Sequence, residues 1–146
     1  FPLFIASIEA AEQIAAIAPH AEKILKNFWP GKLTAVLKAK PEIKEWLTRE
    51  DGTIAIRIPD HSWLLKLLEQ FGKPLVQTSV NTFGAPPFGS ISTITALFEG
   101  EKTKPDLIID GGVLPSWPPS TIADFTVFPP RVLREGAITA EELARK

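Results

Sequence analysis

The segment Thr53-Ile54-Ala55-Ile56-Arg57-Ile58-Pro59 decides how this chain is read. Its apolar residues recur at every second position, so a strand directs Ile54, Ile56 and Ile58 to one face and Thr53, Ala55 and Arg57 to the other. One face is core; the other is small and polar with one fixed cation. An arginine on a sheet surface must find an acidic partner, solvent or an anionic ligand. From this segment alone, a strand-end salt bridge and a ligand contact both stay open.

Asp51-Gly52 supplies the turn that starts this strand. Upstream, residues 33–39 read as a second strand, entered through the chain break at Trp29-Pro30-Gly31 and closed by Lys40-Pro41. Before it, Ser7 is placed to cap a helix in which Ile8, Ala11, Ile14, Ala15 and Ala18 recur at helical spacing. Pro19 interrupts that pattern, and Ala21, Ile24, Leu25 and Phe28 resume it as a second helix. Downstream, Asp60 is expected to cap a helix carrying Trp63, Leu64, Leu67, Leu68 and Phe71, stopped by Gly72 and Pro74. Residues 74–77 are predicted as a short buried strand that runs into a long loop, residues 78–91. A helix over 93–99, a strand over 107–109, short strands over 121–125 and 132–134, and a last helix opened by the capping box Thr139-Ala140-Glu141-Glu142 follow. This irregular alternation predicts an α/β fold, a mixed sheet with helical cover in a single domain.

Composition narrows the function classes. With 146 residues, 45% apolar and 23% charged, the chain can bury a globular core. No apolar run approaches the roughly 20 residues needed to cross a bilayer, so a soluble, cytoplasmic protein is expected. The lack of cysteine removes disulfides, thiol nucleophiles and Cys-based zinc sites, and the two histidines, His20 and His61, have no carboxylate at metal-ligand spacing. No metal site of the protein's own is expected. A net charge of −1 lacks the basic footprint of a duplex binder, so direct RNA binding is expected to be weak or absent. A chain without methionine that begins at Phe1 is expected to lack an upstream segment.

Three polar signatures stand out from the apolar background. Thr78-Ser79-Val80-Asn81 leaves a strand for a loop, where hydroxyls, an amide and backbone N–H groups can converge on phosphate or carboxylate. Equally, Ser79 and Asn81 can close a turn on their own backbone. Ser120-Thr121-Ile122-Ala123-Asp124 and Arg134-Glu135-Gly136 carry the same ambiguity between an anion clamp and a turn with a surface cation. Gly111-Gly112 has no following Gly-Lys-Ser/Thr, which excludes a P-loop, and no Ser/His/Asp order with an elbow motif supports a covalent nucleophile. Trp29, Trp46, Trp63 and Trp117 read as core and loop anchors, not base-stacking platforms.

In order along the chain, Phe28-Trp29-Pro30-Gly31 with Leu33-Thr34, Ile54 to Pro59, Pro74-Leu75 through Asn81 and Gly84, Ser120 to Asp124, and Arg134-Glu135-Gly136 resemble the YrdC-like family of threonylcarbamoyl-adenylate synthases. The resemblance implies a twisted mixed sheet with flanking helices and a large concave cavity. It also implies a nucleotidyltransferase that joins L-threonine, bicarbonate and ATP, with Mg2+, into threonylcarbamoyl-adenylate and pyrophosphate. The product would feed threonylcarbamoyladenosine formation in tRNA, carried out by a separate transferase. By analogy Thr53, Ser79, Asn81 and Arg134 would bind ATP, while Arg57 and Ser120 would lie near the threonine carboxylate or acyl centre. The alternative is a non-catalytic RNA-binding or carbamoyl-transfer maturation relative of the same fold.

The chain also departs from the family pattern. A Thr-containing strand-turn segment and a Lys-x-Arg motif, found upstream in family members, are not in it. The chain is therefore expected to be a YrdC-like domain lacking its N-terminal segment, with weak ATP binding and little activity alone. Lys32 replaces the usual proline after Trp-Pro-Gly, and Val80 and Phe83 replace smaller loop residues.

Overall fold

The alternation in residues 53–58 is realised as a strand over Thr53–Arg57, with Ile54 and Ile56 at 1% and 0% exposure. The computed structural model describes residues 1–81, 87, 89–115 and 117–145. These divide into two compact units, Phe1–Gln77 with Pro118–Lys146, and Thr78–Trp117.

The first unit holds a seven-stranded sheet: β1 (Leu3–Phe4), β2 (Ala15–Ala16), β3 (Leu33–Ala39), β4 (Thr53–Arg57), β5 (Leu75–Val76), β6 (Thr121–Asp124) and β7 (Arg131–Arg134). Their order is β5-β1-β4-β3-β6-β7, with β2 paired to β3. β1 runs parallel to β4 and β6 parallel to β3, while the β3–β4, β1–β5, β2–β3 and β6–β7 pairs are antiparallel. The sheet is therefore mixed, as the irregular alternation of elements predicts. β3 is bonded on both edges: β4 lies along one, and β6 and then β2 share the other, at Leu33 to Val36 and at Lys38 to Ala39.

Helices α1 (Ile8–Ile14) and α2 (Pro19–Phe28), together with the short C-terminal helix Ala140–Ala144, send Ala11, Ala21, Ile24, Leu25 and Leu143 into one core with Leu3, Leu33, Ala35, Leu37, Ile54, Ile56 and Ala123. The helix α3 (Ser62–Phe71) adds Leu65 to the edge of this cluster. Ser7 caps α1 as read, its Oγ accepting from Ala10 N at 3.2 Å. That helix is shorter than the periodicity suggests, because Ala15 and Ala16 leave it to pair with Ala39 and Lys38. Pro19 opens α2 at its first turn, where a missing N–H costs nothing. The α3 cap is His61, not Asp60: its Nδ1 accepts from Leu64 N at 3.4 Å, and Gly72 closes the helix in the left-handed region. Of residues 74–77, Leu75–Val76 form a strand, at the edge instead of buried: among the described residues β1 is its one neighbour, and Val76 is 55% exposed.

In the second unit, α4 (Ile91–Glu99) is capped by Ser90, and Leu114 N donates to Gly89 O at 2.9 Å. The strand expected over 107–109 is not formed. Leu107, Ile108 and Ile109 are exposed and make no ladder among the described residues, so their apolar run finds no partner strand. The C-terminal helix, α5 (Ala140–Ala144), keeps the full capping box between Thr139 and Glu142. Of the tryptophans read as anchors, Trp29 is one: it is buried and donates from Nε1 to Leu33 O at 2.8 Å. Trp46, Trp63 and Trp117 are exposed.

Asp124 fastens β7 onto β6. It is buried, accepts from Thr126 N and Oγ1 at 2.9 and 2.6 Å, and pairs with Arg131 at 3.0 Å. Burial alone raises its pKa, but the Thr126 hydrogen bonds and Arg131 together outweigh burial and hold it below its usual value. A depressed carboxylate contributes stability that is complete above its unfolded pKa, about 3.9, and is lost as pH falls through the folded value. Asp124→Ala is expected to cost about 1–3 kcal/mol at neutral pH and to flatten the acid limb of stability. Urea unfolding midpoints between pH 7 and pH 2.5 check both.

Candidate active site

Strand alternation gives the sheet a second face, opposite the core, that carries Thr34 and Val36 from β3, Thr53, Ala55 and Arg57 from β4, and Ile122 and Asp124 from β6. Ala35 stands opposite Ile56, so continuing the antiparallel register by one residue sets Thr34 opposite Arg57. Thr34 is the parallel partner of Ile122, and Ile122 is the partner of Arg134. One row across four strands thus reads Arg57, Thr34, Ile122, Arg134. At about 4.8 Å between strands, the two arginine backbones lie roughly 14 Å apart.

Each end of the row is locked to a turn. Gly31 N donates to Ile58 O at 2.9 Å, and Gly31 O accepts from Arg57 Nε at 2.7 Å. A Cβ on Gly31 would lie 2.2 Å from Phe28 O, so only glycine lets this turn close onto β4. The Arg57 guanidinium also sits 5.6 Å from the Phe4 ring centroid, a cation–π contact. Burial lowers its pKa and the charge of Asp60 partly offsets this, yet a guanidinium stays protonated at neutral pH.

At the other end, Arg134 Nη2 donates to Ser120 O at 2.7 Å and lies 3.4 Å from Ser120 Oγ. Thr34 Oγ1 and Ser120 Oγ are 2.9 Å apart. Segment 136–138 wraps the strand start: Gly136 N and Ile138 N donate to Thr121 Oγ1, which donates to Ile138 O at 2.5 Å, and Ala137 N bonds Pro119 O. Thr121, fully buried with its one proton and both lone pairs used, is a structural residue. The neighbouring hydroxyl, Ser120, is the one turned toward the row.

Thr53 is placed apart from these groups. Four residues before Arg57, it lies roughly 13 Å along the strand, and its N and Oγ1 both donate to Asp51 Oδ1, at 3.0 and 2.6 Å. Its hydroxyl proton is therefore already committed. Thr53 instead lines a groove of about 340 Å³ with Val36, Ala55, Ile122, Trp46 and Arg49. Ser79 and Asn81 belong to the second unit, where Ser79 Oγ donates to Asn81 Oδ1 at 2.5 Å, a bond between the two side chains and not to their own backbone. Gly84 and Phe83 lie outside the described residues. Thr34 is the site residue that sequence reasoning passed over as a role: its signal was a hydroxyl within the otherwise apolar stretch Leu33 to Leu37.

Among the described residues the five arginines separate into two groups. Arg49, Arg131 and Arg145 pair with Asp51, Asp124 and Glu141. Arg57 and Arg134 pair with no carboxylate, and they are the two ends of the row. The salt bridge that would have explained Arg57 without a ligand is not formed. Two unneutralised cations flanking a hydroxyl pair can receive two anionic groups of one or more ligands.

The chain is similar to known proteins over nearly its whole length. The Sua5/YciO/YrdC family model, described as "Telomere recombination", matches residues 1–136. A threonylcarbamoyl-AMP synthase of Pyrococcus abyssi is 37% identical over 144 residues, which cover 98% of this chain and 42% of that protein. Among solved structures, P. abyssi Sua5 complexed with L-threonine superposes with a TM-score of 0.82 at 37% identity, covering 98% of this chain and 42% of that one. E. coli YciO gives 0.86 at 28% identity, covering 98% and 68%. The chain spans about two-fifths of the length of the synthases it matches.

The tight fit at Gly136 gives a direct test. A Cβ there would stand 2.2 Å from Pro119 O and 2.9 Å from Ser120 O, which cannot be relieved without moving the backbone that holds Ser120. Gly136→Ala is expected to shift the Ser120 and Thr121 amide resonances and to destabilise the fold by about 1–3 kcal/mol. A two-dimensional amide spectrum with a thermal melt measures both.

Proposed function

The chain belongs to the Sua5/YciO/YrdC family, and from that premise we propose that it carries the site that converts L-threonine, bicarbonate and ATP into threonylcarbamoyl-adenylate and pyrophosphate. The observation that carries the reading is the pair of arginines without a carboxylate ion pair among the described residues, Arg57 and Arg134, set on one sheet face with Ser120 and Thr34 between them. It is supported by relatives named threonylcarbamoyl-AMP synthase and by the L-threonine complex of the P. abyssi protein.

On this reading Arg57 and Ser120 hold the threonine carboxylate or the acyl centre, and Arg134 holds phosphate oxygens of the nucleotide. Thr53 is a further nucleotide contact on this reading, acting as an acceptor because its proton is given to Asp51; within the second unit, Ser79 and Asn81 are the nucleotide-binding candidates. Threonine's amine forms a C–N bond to the carbon of bicarbonate as a C–O bond breaks and water departs, giving a carbamate. A carbamate oxygen then forms a bond to the α-phosphorus as the bond to the β-phosphate oxygen breaks and pyrophosphate departs with the electron pair. No side-chain nucleophile is required. The protein's part is to orient two anions and stabilise the charge that develops between them.

The residues fit magnesium in one manner. Among the described residues no group of three His, Cys, Asp or Glu could hold a metal ion, so the ion would enter on the triphosphate with its own waters. It would supply charge neutralisation at the phosphates. The adenylate would pass to a separate tRNA-modifying transferase. Among the described residues no helix is long and apolar enough to cross a membrane, and we place the reaction in the cytoplasm.

Threonine-dependent pyrophosphate release by the full-length gene product tests the reading. Arg57→Ala is expected to weaken threonine use by about 10- to 100-fold, the worth of one charge-assisted contact. Release that requires carbamoyl phosphate would instead identify a maturation enzyme, and RNA retention without release would identify a binding module.

A further inference from the structure

We propose that Thr34 is a positioning residue that orients the Ser120 hydroxyl as a hydrogen-bond donor toward the anionic ligand; the role rests on the synthase reading above. Thr34 is 1% exposed, and the Ser120 hydroxyl, 2.9 Å away, is its side-chain partner among the described residues. Each of the two hydroxyls has one proton, so the bond between them can run in either direction.

The burial of Thr34 selects the direction. If Ser120 donated, the Thr34 proton would be left in a buried place with no acceptor among the described residues, an arrangement that folded proteins avoid. If Thr34 donates, its proton is satisfied. Arg134 Nη2, which only donates, lies 3.4 Å from Ser120 Oγ and takes the second of its two lone pairs. Ser120 then accepts from Thr34 and from Arg134, and its own proton is directed away from both, toward a ligand on this face. A serine held in this way discriminates, since it gives a proton to carboxylate or carbamate oxygen and has little capacity left to accept one.

The proton direction is accessible without turnover. Neutron diffraction from deuterated crystals is expected to place the Thr34 deuteron between the two oxygens; a Ser120 deuteron in that position overturns the proposal. In the pyrophosphate assay, Thr34→Val is expected to raise KM for threonine about tenfold, with KM for ATP unchanged, and Thr34→Ser to restore it. Added to Ser120→Ala, Thr34→Val is expected to have no further effect on threonine KM. A Thr34→Val protein with wild-type threonine KM, or a full multiplicative effect in the double variant, overturns the role. A wild-type protein without threonine-dependent release overturns the synthase reading instead, and the neutron result still decides the proton direction.

Discussion

The register of β3 is the constraint on which the rest of the structure depends. Its odd-numbered residues Leu33, Ala35 and Leu37 enter the core, while Thr34 and Val36 face the other way. A one-residue slip would send the apolar set out and Thr34 in, and it would move Arg57 and Arg134 off a common row. Such a slip is resisted twice, because β3 is laddered along one edge by β4 and along the other by β6 and β2. Ala35 adds a steric term: it is wholly buried between Ile56 and Ala123, where a larger side chain from a shifted register would overfill the layer.

Backbone, more than side-chain packing, fixes the chemistry-bearing groups on this frame. Arg57 gives one N–H to the carbonyl of Gly31, and Arg134 gives one to the carbonyl of Ser120. Each guanidinium is thereby aimed while the remainder of its donor fork stays available. Both carbonyls belong to turns that close because a glycine has no Cβ, Gly31 against Phe28 and Gly136 against Pro119 and Ser120. The Trp-Pro-Gly and Arg-Glu-Gly segments are therefore parts of the positioning apparatus, even though neither glycine carries a functional group.

Legibility in the sequence followed the range of the forces involved. β3, β4, α2 and the Thr139 capping box were readable because alternation, helical spacing and capping are local. β1 was not: two residues, Leu3 and Phe4, have no period of their own and become a strand through partners more than fifty residues away. Residues 107–109 erred in the opposite direction, having strand composition with no neighbouring edge to join. At the site, the sequence pointed to Arg57 and Arg134, the two ends of the row, and to Ser120, which bonds Thr34 and Arg134 of that row. It could not separate Ser120 from Thr121, since two adjacent hydroxyls look alike until one is seen saturated by the 136–138 segment. Nor could it reveal that the Thr53 proton is given to Asp51.

The two row arginines differ in their surroundings, and within the proposed reaction each would suit a different anion. Arg57 is half-buried, stacked on Phe4 and already bonded through Nε, so its desolvation is only partly offset by Asp60. A small planar carboxylate arriving there restores the lost interaction at close range, in surroundings where charge attraction is stronger than in water. Arg134 is exposed, and in solvent a single contact is screened. That suits a polyphosphate, whose charge is multiple, which brings its own ion and water, and which must leave as pyrophosphate after each turnover. The molecule as a whole carries a net charge of −1, so in the proposed reaction attraction of the two anions would rest on where the two cations are placed and not on overall charge.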